Sequence, residues 1–342
     1  MGVIAALEVS KKMAKIEPNR IGEETKKSLK VRVIAALVGL AIVLPIIFVG
    51  NWVFFALAVF GTVVGTIEIV RCCKRDFHSI WIYVVSIALC IALTFWPFLM
   101  DITSGVDLSH VFNTFETIYI PIILFFVGLV GLLLIVILNP HLEFKDACSI
   151  FTLLLILSLG IQATLYVRYA PSLYLAPETR ATLDYINGFD NFASATLLFY
   201  VAFGCFFTDI GAYFIGVFFG KHKINERISP KKTYEGFVGG IVISTIMSSG
   251  FALLMSGIGH PVLKGVFDIQ HWYHIVGLSV IMPIMATIGD FVFSACKRTY
   301  GIKDFGKILP GHGGVCDRLD SWFFVFLTAA IYIVIVKGTI FI

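Results

Sequence analysis

Long apolar runs that no charged residue interrupts dominate the chain and restrict its fold more than any other feature. About nine of them approach the roughly 20 residues that a helix needs to cross a bilayer. They lack the alternation of apolar and polar residues that marks the strands of a membrane barrel. We therefore predict an all-α polytopic membrane protein with about nine transmembrane helices. The predicted spans are 33–50, 52–70, 79–99, 117–138, 147–167, 193–219, 237–257, 273–296 and 320–338.

The composition excludes several classes of protein. Hydrophobic residues make up 58% of the 342 residues and charged residues only 14%, whereas a soluble domain has about 25% charged residues. This excludes a disordered chain, a soluble enzyme and a nucleic-acid-binding domain. The seven cysteines are odd in number and form no CxxC pair, so we expect neither a disulfide framework nor a zinc site.

The distribution of Lys and Arg predicts the orientation in the membrane. With the N-terminus placed inside, 22 of the 26 Lys and Arg lie in inside segments, as the positive-inside rule requires. We therefore predict a cytoplasmic N-terminus and a C-terminus outside. Residues 1–32 form a cytoplasmic segment, residues 33–167 a five-helix region for packing and lipid contact, and residues 193–342 a four-helix catalytic region. The cytoplasmic loops of that last region are 220–236 and 297–319.

Asp209 lies inside the sixth predicted span, in the stretch Phe-Phe-Thr-Asp-Ile-Gly-Ala-Tyr. A charged side chain within a span is costly, so such residues usually face a polar cavity or a partner. A structural hydrogen bond to a neighbouring helix is the alternative. Four glycines of the same region would let helices pack closely, which is a purely structural role; they are Gly204, Gly211, Gly216 and Gly220.

The basic segment 220–236 contains Ser-Pro-Lys-Lys-Thr. With Pro230 at the first position of a helix, Lys231, Lys232 and Thr233 would present ammonium groups, a hydroxyl and free N–H groups at one place. This combination suits a phosphate. The alternative is a loop whose positive charge touches anionic lipid headgroups.

Two pairs of polar residues flank the last cytoplasmic loop. Asp290 and Ser294 are spaced i, i+4 and so share a helix face. Asp317 and Asp320 are spaced i, i+3 at the start of the ninth span. If the two helix ends meet, three carboxylates converge and would need a cation among them. Hard oxygen ligands suit Mg²⁺, although acids at a helix N-terminus are also common without any metal.

Between these pairs lies Pro-Gly-His-Gly-Gly at 310–314. Its glycines allow a tight turn and a close approach of the backbone to a phosphate, whereas His312 alone is equally explained by a hydrogen bond within a turn. Metal, phosphate cradle and cations together indicate a nucleotide or pyrophosphate substrate. The surrounding cations are Lys297, Arg298, Lys303, Lys307 and Arg318.

The segment 294–320 resembles the phosphatidate cytidylyltransferase (CDP-diacylglycerol synthase) family. The matching motifs are Ser-x-x-Lys-Arg from Ser294, Lys303-Asp304, Pro-Gly-His-Gly-Gly, and Asp-Arg-x-Asp from Asp317. The segment 229–236 is similar to a second family motif, so the recognisable motifs cover roughly 206–321. The first five spans are similar to the family only in their hydrophobicity.

The resemblance implies transfer of the cytidylyl group of CTP to phosphatidate, giving CDP-diacylglycerol and pyrophosphate, with Mg²⁺ and a second cation such as K⁺. The implied partners are CTP, phosphatidate and membrane lipids, with no nucleic acid. A homodimer is compatible with it. The catalytic candidates are Asp290, Ser294, Asp317, Lys303, Asp304 and Arg318. The candidates for binding the substrate phosphates are Lys231, Lys232, Thr233, Lys297, Arg298, Lys307, Gly311, His312, Gly313 and Gly314. The metal candidates are Asp290, Asp317 and Asp320, with Asp209 as a further one.

Three other functions remain open at this point. A polyprenol or phytol kinase, or an ether-lipid cytidylyltransferase, would use the same nucleotide chemistry with another acceptor. An ion-coupled transporter would place Asp209 and Asp290 along an ion path, but no matched pair of broken helices occurs in the two halves. A non-catalytic scaffold gives no reason for the clustered motifs. We expect a bacterial plasma membrane, with the endoplasmic reticulum as the alternative, and an active site on the cytoplasmic face.

Overall fold

The computed structural model describes residues 23–72, 80–104, 115–139, 142–173, 191–308 and 313–340. Within these ranges the chain is mostly helical, and nine long helices correspond to the nine predicted spans. The helices are α1 (Glu23–Val49), α2 (Asn51–Cys72), α3 (Ile80–Ser104), α4 (Phe115–Leu138), α5 (Phe144–Leu173), α6 (Asn191–Phe219), α7 (Tyr234–Gly257), α8 (Trp272–Thr299) and α9 (Cys316–Ile340).

Eight of the helices in the described ranges, α2 to α9, are long and apolar enough to cross a membrane. The prediction of an all-α polytopic membrane protein is thereby confirmed. Helix α1 differs because its apolar part is the shorter stretch Leu37–Val49, which follows a charged first half rich in Lys and Glu.

A two-stranded antiparallel hairpin interrupts the otherwise helical architecture. Strand β1 (Lys223–Asn225) pairs with β2 (Ser229–Thr233) between α6 and α7. The expectation that Pro230 begins a helix is therefore wrong, because Pro230 lies within β2. In a two-stranded hairpin each strand has a free edge, so the missing N–H of a proline is tolerated.

Helix α7 begins directly after β2, and the side chain of Thr233 determines this start by capping the helix. Its Oγ1 accepts a hydrogen bond of 3.1 Å from the N–H of Gly236, so Thr233 caps the helix. The carboxylate of Glu235, in the first turn, accepts the N–H groups of Lys221 and His222 at 3.1 and 3.2 Å. The hairpin is thus fastened to the start of α7 at both of its ends.

Glycines bring α6 and α7 close together, as the four glycines of this region predict. A Cβ added to Gly240 would lie 2.9 Å from the carbonyl oxygen of Thr208, and one added to Gly211 would lie 3.1 Å from that of Gly239. Gly204 of α6 is packed equally tightly against Met282 of α8. Small residues at these crossings let the helix backbones approach.

Contacts also join the two regions that the sequence separates at residues 167 and 193. The indole Nε1 of Trp322 in α9 donates to Thr164 Oγ1 in α5 at 3.0 Å. The ring of Phe323 fills the space beside Gly160, where an added Cβ would lie 2.5 Å from it. The boundary between a packing region and a catalytic region stays a prediction, but α5 and α9 share one interface.

The packing of α7 yields a test with an internal control. We expect Gly240→Val to destabilise the protein by about 1–3 kcal/mol, since overpacking a close contact costs that much. Gly250→Val introduces the same side chain into the same helix, where no atom lies within 4 Å of the added Cβ. The measurement is thermal unfolding of both variants in detergent micelles. Equal unfolding midpoints would contradict the close α6–α7 contact.

Candidate active site

The C-terminal end of α8 and the N-terminal end of α9 meet at a cluster of charged side chains. On α8, Ser294 Oγ donates to Asp290 Oδ1 at 3.3 Å, so the expected shared face is present. Lys232, at the end of β2, forms an ion pair with Asp290, and its Nζ lies 5.0 Å from the ring centre of Phe291. The hairpin therefore places the ammonium group of Lys232 against the Asp290 carboxylate of α8.

A buried ion pair of the cluster joins Lys297 and Asp317. Lys297 Nζ donates to Asp317 Oδ1 at 3.0 Å, and the two side chains belong to residues only 8% and 7% exposed. The other oxygen, Oδ2, accepts the N–H groups of Phe305 and Gly314 at 2.8 and 3.0 Å. Asp317 thus holds a lysine and two points of the intervening loop at once.

Asp320 and Asp209 complete the acidic side of the cluster. Asp320 Oδ2 lies 3.9 Å from Lys297 Nζ, and its Oδ1 accepts the N–H of Ser321 at 2.8 Å. Asp209, Asp290 and Asp320 are near enough to interact electrostatically with one another. Asp209 also lies near enough to Lys232 for their charges to interact, and its side chain is accessible.

The guanidinium group of Arg298 donates hydrogen bonds to two backbone carbonyls. Its Nε donates to the carbonyl of Ile228 at 3.4 Å, and its Nη1 donates to that of Ile302 at 3.2 Å. The side chain therefore ties the tip of the hairpin to the end of α8. Thr233, the helix cap, is buried, so its hydroxyl is engaged within the protein as well.

The remaining candidates divide by exposure. Gly314 is buried, and Gly313 has a positive φ of 87°, which favours glycine. Gly311 and His312 lie outside the described residues. Five charged candidates are exposed around the cluster, namely Lys231, Lys303, Asp304, Lys307 and Arg318.

Two acids of the N-terminal region reach this cluster and were missed from the sequence. Glu68 of α2 is 3% exposed and accepts the N–H groups of Val315 and Cys316. Asp146 at the start of α5 accepts the hydroxyl of Tyr300 at 3.3 Å. Glu68 shows the signal that singled out Asp209, an acid within an apolar span. The sequence alone does not assign Glu68 to the site, because its partners lie almost 250 residues later in the chain.

The oxygen ligands of the cluster are of the kind that suits Mg²⁺, but two of its carboxylates are paired with lysines. Carboxylates and a hydroxyl are the hard ligands that this ion prefers. In the described part of the chain, however, no three His, Cys, Asp or Glu side chains form a group that could hold a metal. Asp290 faces Lys232 and Asp317 faces Lys297. A metal fits these residues if its charge takes the place of a lysine beside one of the carboxylates.

Comparison with known proteins agrees with this constellation. A sequence model of the cytidylyltransferase family matches residues 30–336. The chain belongs to that family. This confirms the family resemblance inferred from the motifs, and it extends the match over all nine helices.

Two bacterial relatives are similar to this chain over part of its length. A phosphatidate cytidylyltransferase of Bacillus subtilis is 42% identical over 130 residues, which are 38% of this chain and 44% of that protein. One of Staphylococcus saprophyticus is 42% identical over 118 residues, or 34% and 41% of the two chains. The aligned parts span less than half of these relatives.

The Lys297–Asp317 pair of this cytidylyltransferase-family protein yields a stability prediction. Removing one partner of a buried ion pair costs about 3–5 kcal/mol, because the remaining charge is buried alone. We expect Lys297→Met to lower the free energy of unfolding by about 3–5 kcal/mol, measured without substrate. Lys303→Met removes an equal charge from an exposed residue of the same loop and serves as the control. A loss no larger than that of the control would show that the pair does not stabilise the fold.

Proposed function

We propose that the protein transfers the cytidylyl group of CTP to phosphatidate and releases pyrophosphate. One observation carries the proposal: two lysines, Lys232 and Lys297, are held against carboxylates of α8 and α9 where the hairpin meets these two helices. The family match and the names of the bacterial relatives agree with it. A lipid acceptor also suits a protein with eight helices apolar enough to cross a membrane in its described ranges.

The reaction joins two anions, and this is its main difficulty. A phosphate oxygen of phosphatidate attacks the α-phosphorus of CTP, and the bond from that phosphorus to the bridging oxygen of the β-phosphate breaks. The electron pair of the broken bond leaves with pyrophosphate. The nucleophile is already anionic near neutral pH, so no serine nucleophile is needed. Catalysis then consists of positioning and of charge neutralisation.

The cations of the cluster are placed for these two tasks. Lys232 and Lys297 are oriented by Asp290 and Asp317, so their ammonium groups are held in place before a substrate arrives. Lys231, Lys303, Lys307 and Arg318 are exposed around them. We assign the oriented lysines to the reacting phosphates and the exposed cations to the β- and γ-phosphates that leave as pyrophosphate.

We assign Mg²⁺, if bound, to Asp290 and Asp320, where it would take the place of Lys232 beside Asp290. Asp209 and the hydroxyl of Ser294 lie nearby. When bound, the ion would neutralise charge on the phosphate oxygens. Ligation by Asp317 would require Oδ1 to leave Lys297, because Oδ2 already accepts two backbone N–H groups. A second cation such as K⁺ would suit the same acidic side of the cluster.

We further propose that α1 crosses the membrane as a ninth span. The N-terminus and the active site would then lie at the cytoplasmic face of a bacterial plasma membrane. Contacts bring together the ends of α2, α5, α8 and α9 and the hairpin. Their flanking segments carry most of the Lys and Arg, which supports this orientation. A homodimer remains a proposal from the family resemblance.

A product assay tests the function. Protein purified in detergent micelles receives CTP labelled in the cytidine, phosphatidate and Mg²⁺. We expect labelled CDP-lipid in the wild type and a loss of at least about 100-fold with EDTA, in Asp290→Asn and in Asp317→Asn. EDTA would remove the metal, Asp290→Asn a carboxylate proposed to hold it, and Asp317→Asn the carboxylate that positions Lys297. Asp209→Asn should also lower the rate, and full activity would remove Asp209 from the site.

Two outcomes of this assay contradict the proposal. CTP binding without product from phosphatidate would direct the search to polyprenol, phytol or ether-lipid acceptors. Absence of CTP binding in folded protein would reopen the transporter hypothesis.

The orientation is tested with single cysteines placed in a variant that lacks the seven native ones. We expect Lys264→Cys to react with a membrane-impermeant maleimide in intact spheroplasts. Lys223→Cys should react only after permeabilisation, because it lies in the hairpin on the opposite side. The reverse pattern would invert the topology.

A further inference from the structure

Glu68 contacts the active-site loop, which joins α8 to α9 over residues 300–315, from almost 250 residues earlier in the chain, and no motif predicted this contact. Its Oε1 accepts the N–H of Val315 at 3.0 Å, and its Oε2 accepts the N–H of Cys316 at 2.9 Å. One N–H group belongs to Val315, which directly precedes α9, and the other to Cys316, the first residue of α9; neither has a partner within the helix. The carboxylate therefore binds the N-terminal end of α9 from a helix almost 250 residues earlier.

The space around this carboxylate is filled from both sides of the loop. A Cβ added to Gly306 or to Gly314 would overlap with the Glu68 side chain, and its nearest atoms would all be those of Glu68. Neither glycine has a positive φ, so the lack of a side chain, and not backbone conformation, accounts for glycine there. Glu68 thus lies between two arms of the loop that α8 and α9 enclose.

The same loop holds the Lys297–Asp317 pair. Asp317 Oδ2 accepts the N–H groups of Phe305 and Gly314, which are direct neighbours of Gly306 and Val315. Two carboxylates, Glu68 and Asp317, consequently take up the N–H groups of residues 314, 315 and 316. A phosphate cannot use these N–H groups while the carboxylates occupy them, so the loop in this form positions side chains.

We propose that Glu68 is a positioning residue for the transfer reaction. By binding residues 315 and 316 and packing against Gly306 and Gly314, it fixes the place of Asp317 and hence of the Lys297 ammonium group. The inference rests on the proposed function for its catalytic consequence. It gives the N-terminal region, whose predicted role was packing and lipid contact, a direct part in shaping the active site.

The central variant is Glu68→Ala, assayed on folded, monodisperse protein well below its unfolding temperature. We expect kcat to fall about 10- to 100-fold, as for a displacement of about 1 Å in reacting groups, with a smaller change in KM for phosphatidate. Glu68→Gln keeps the length and one acceptor oxygen, so it should recover part of kcat. Arg71→Gln, an exposed charge of the same helix, should stay within about twofold of the wild type.

Cys316 provides a readout that does not depend on activity. It is fully buried, and its Sγ donates to the carbonyl of Gly65 at 3.5 Å. In Glu68→Ala we expect N-ethylmaleimide to label Cys316 faster than in the wild type, as located by mass spectrometry. If Glu68→Ala lowers kcat while Cys316 is labelled as slowly as in the wild type, a displaced loop is not the cause of the lower kcat.

The glycine contact sharpens the test further. Gly314→Ala should lower kcat because its Cβ overlaps with Glu68. The same change in Glu68→Ala should cost much less, because the overlapping atoms are gone. Equal effects in both backgrounds, or unchanged kcat in folded Glu68→Ala, would overturn the proposal. If the wild type forms no CDP-lipid, the proposed function fails, while Cys316 labelling still decides whether Glu68 holds the loop.

Discussion

The arrangement of the site depends on two carboxylates that accept the backbone N–H groups of one loop. Glu68 and Asp317 bind residues 314–316 and 305, and Asp317 also holds Lys297. A loop at the edge of an apolar bundle has few other partners for its polar groups, and a buried unpaired N–H costs about 1–3 kcal/mol. These acids therefore satisfy the loop and, at the same time, place a lysine where phosphates would meet.

The other charged side chains of the cluster also have partners within the protein. Asp290 is paired with Lys232, and Arg298 spans two backbone carbonyls. In surroundings of low polarity a charge persists only with a partner, so each acid fixes the position of a base. Lysines that are already oriented need less reordering when an anionic substrate binds, which is the physical basis of preorganised catalysis.

Much of this architecture was predictable, and the exceptions have local causes. Apolar runs and the i, i+4 spacing predicted the helices and the contact of Asp290 with Ser294, because both follow from helix geometry alone. The hairpin was missed because Ser-Pro-Lys-Lys-Thr is also typical of a helix start. The helix begins at Tyr234, after the cap Thr233, and thus four residues later than Pro230 would begin it. Glu68 was missed because its partners lie almost 250 residues away.

The sequence by itself determined the class of protein, the family and the residues that carry charge in the last third of the chain. Hydrophobicity and motif spacing are local properties, so they can be read without coordinates. Only the tertiary structure decided which acid faces which base, and that Asp317 binds both Lys297 and the loop while Asp320 lies 3.9 Å from the same ammonium group. Those pairings depend on how α2, α8, α9 and the hairpin pack, and side chains from distant segments meet only after packing.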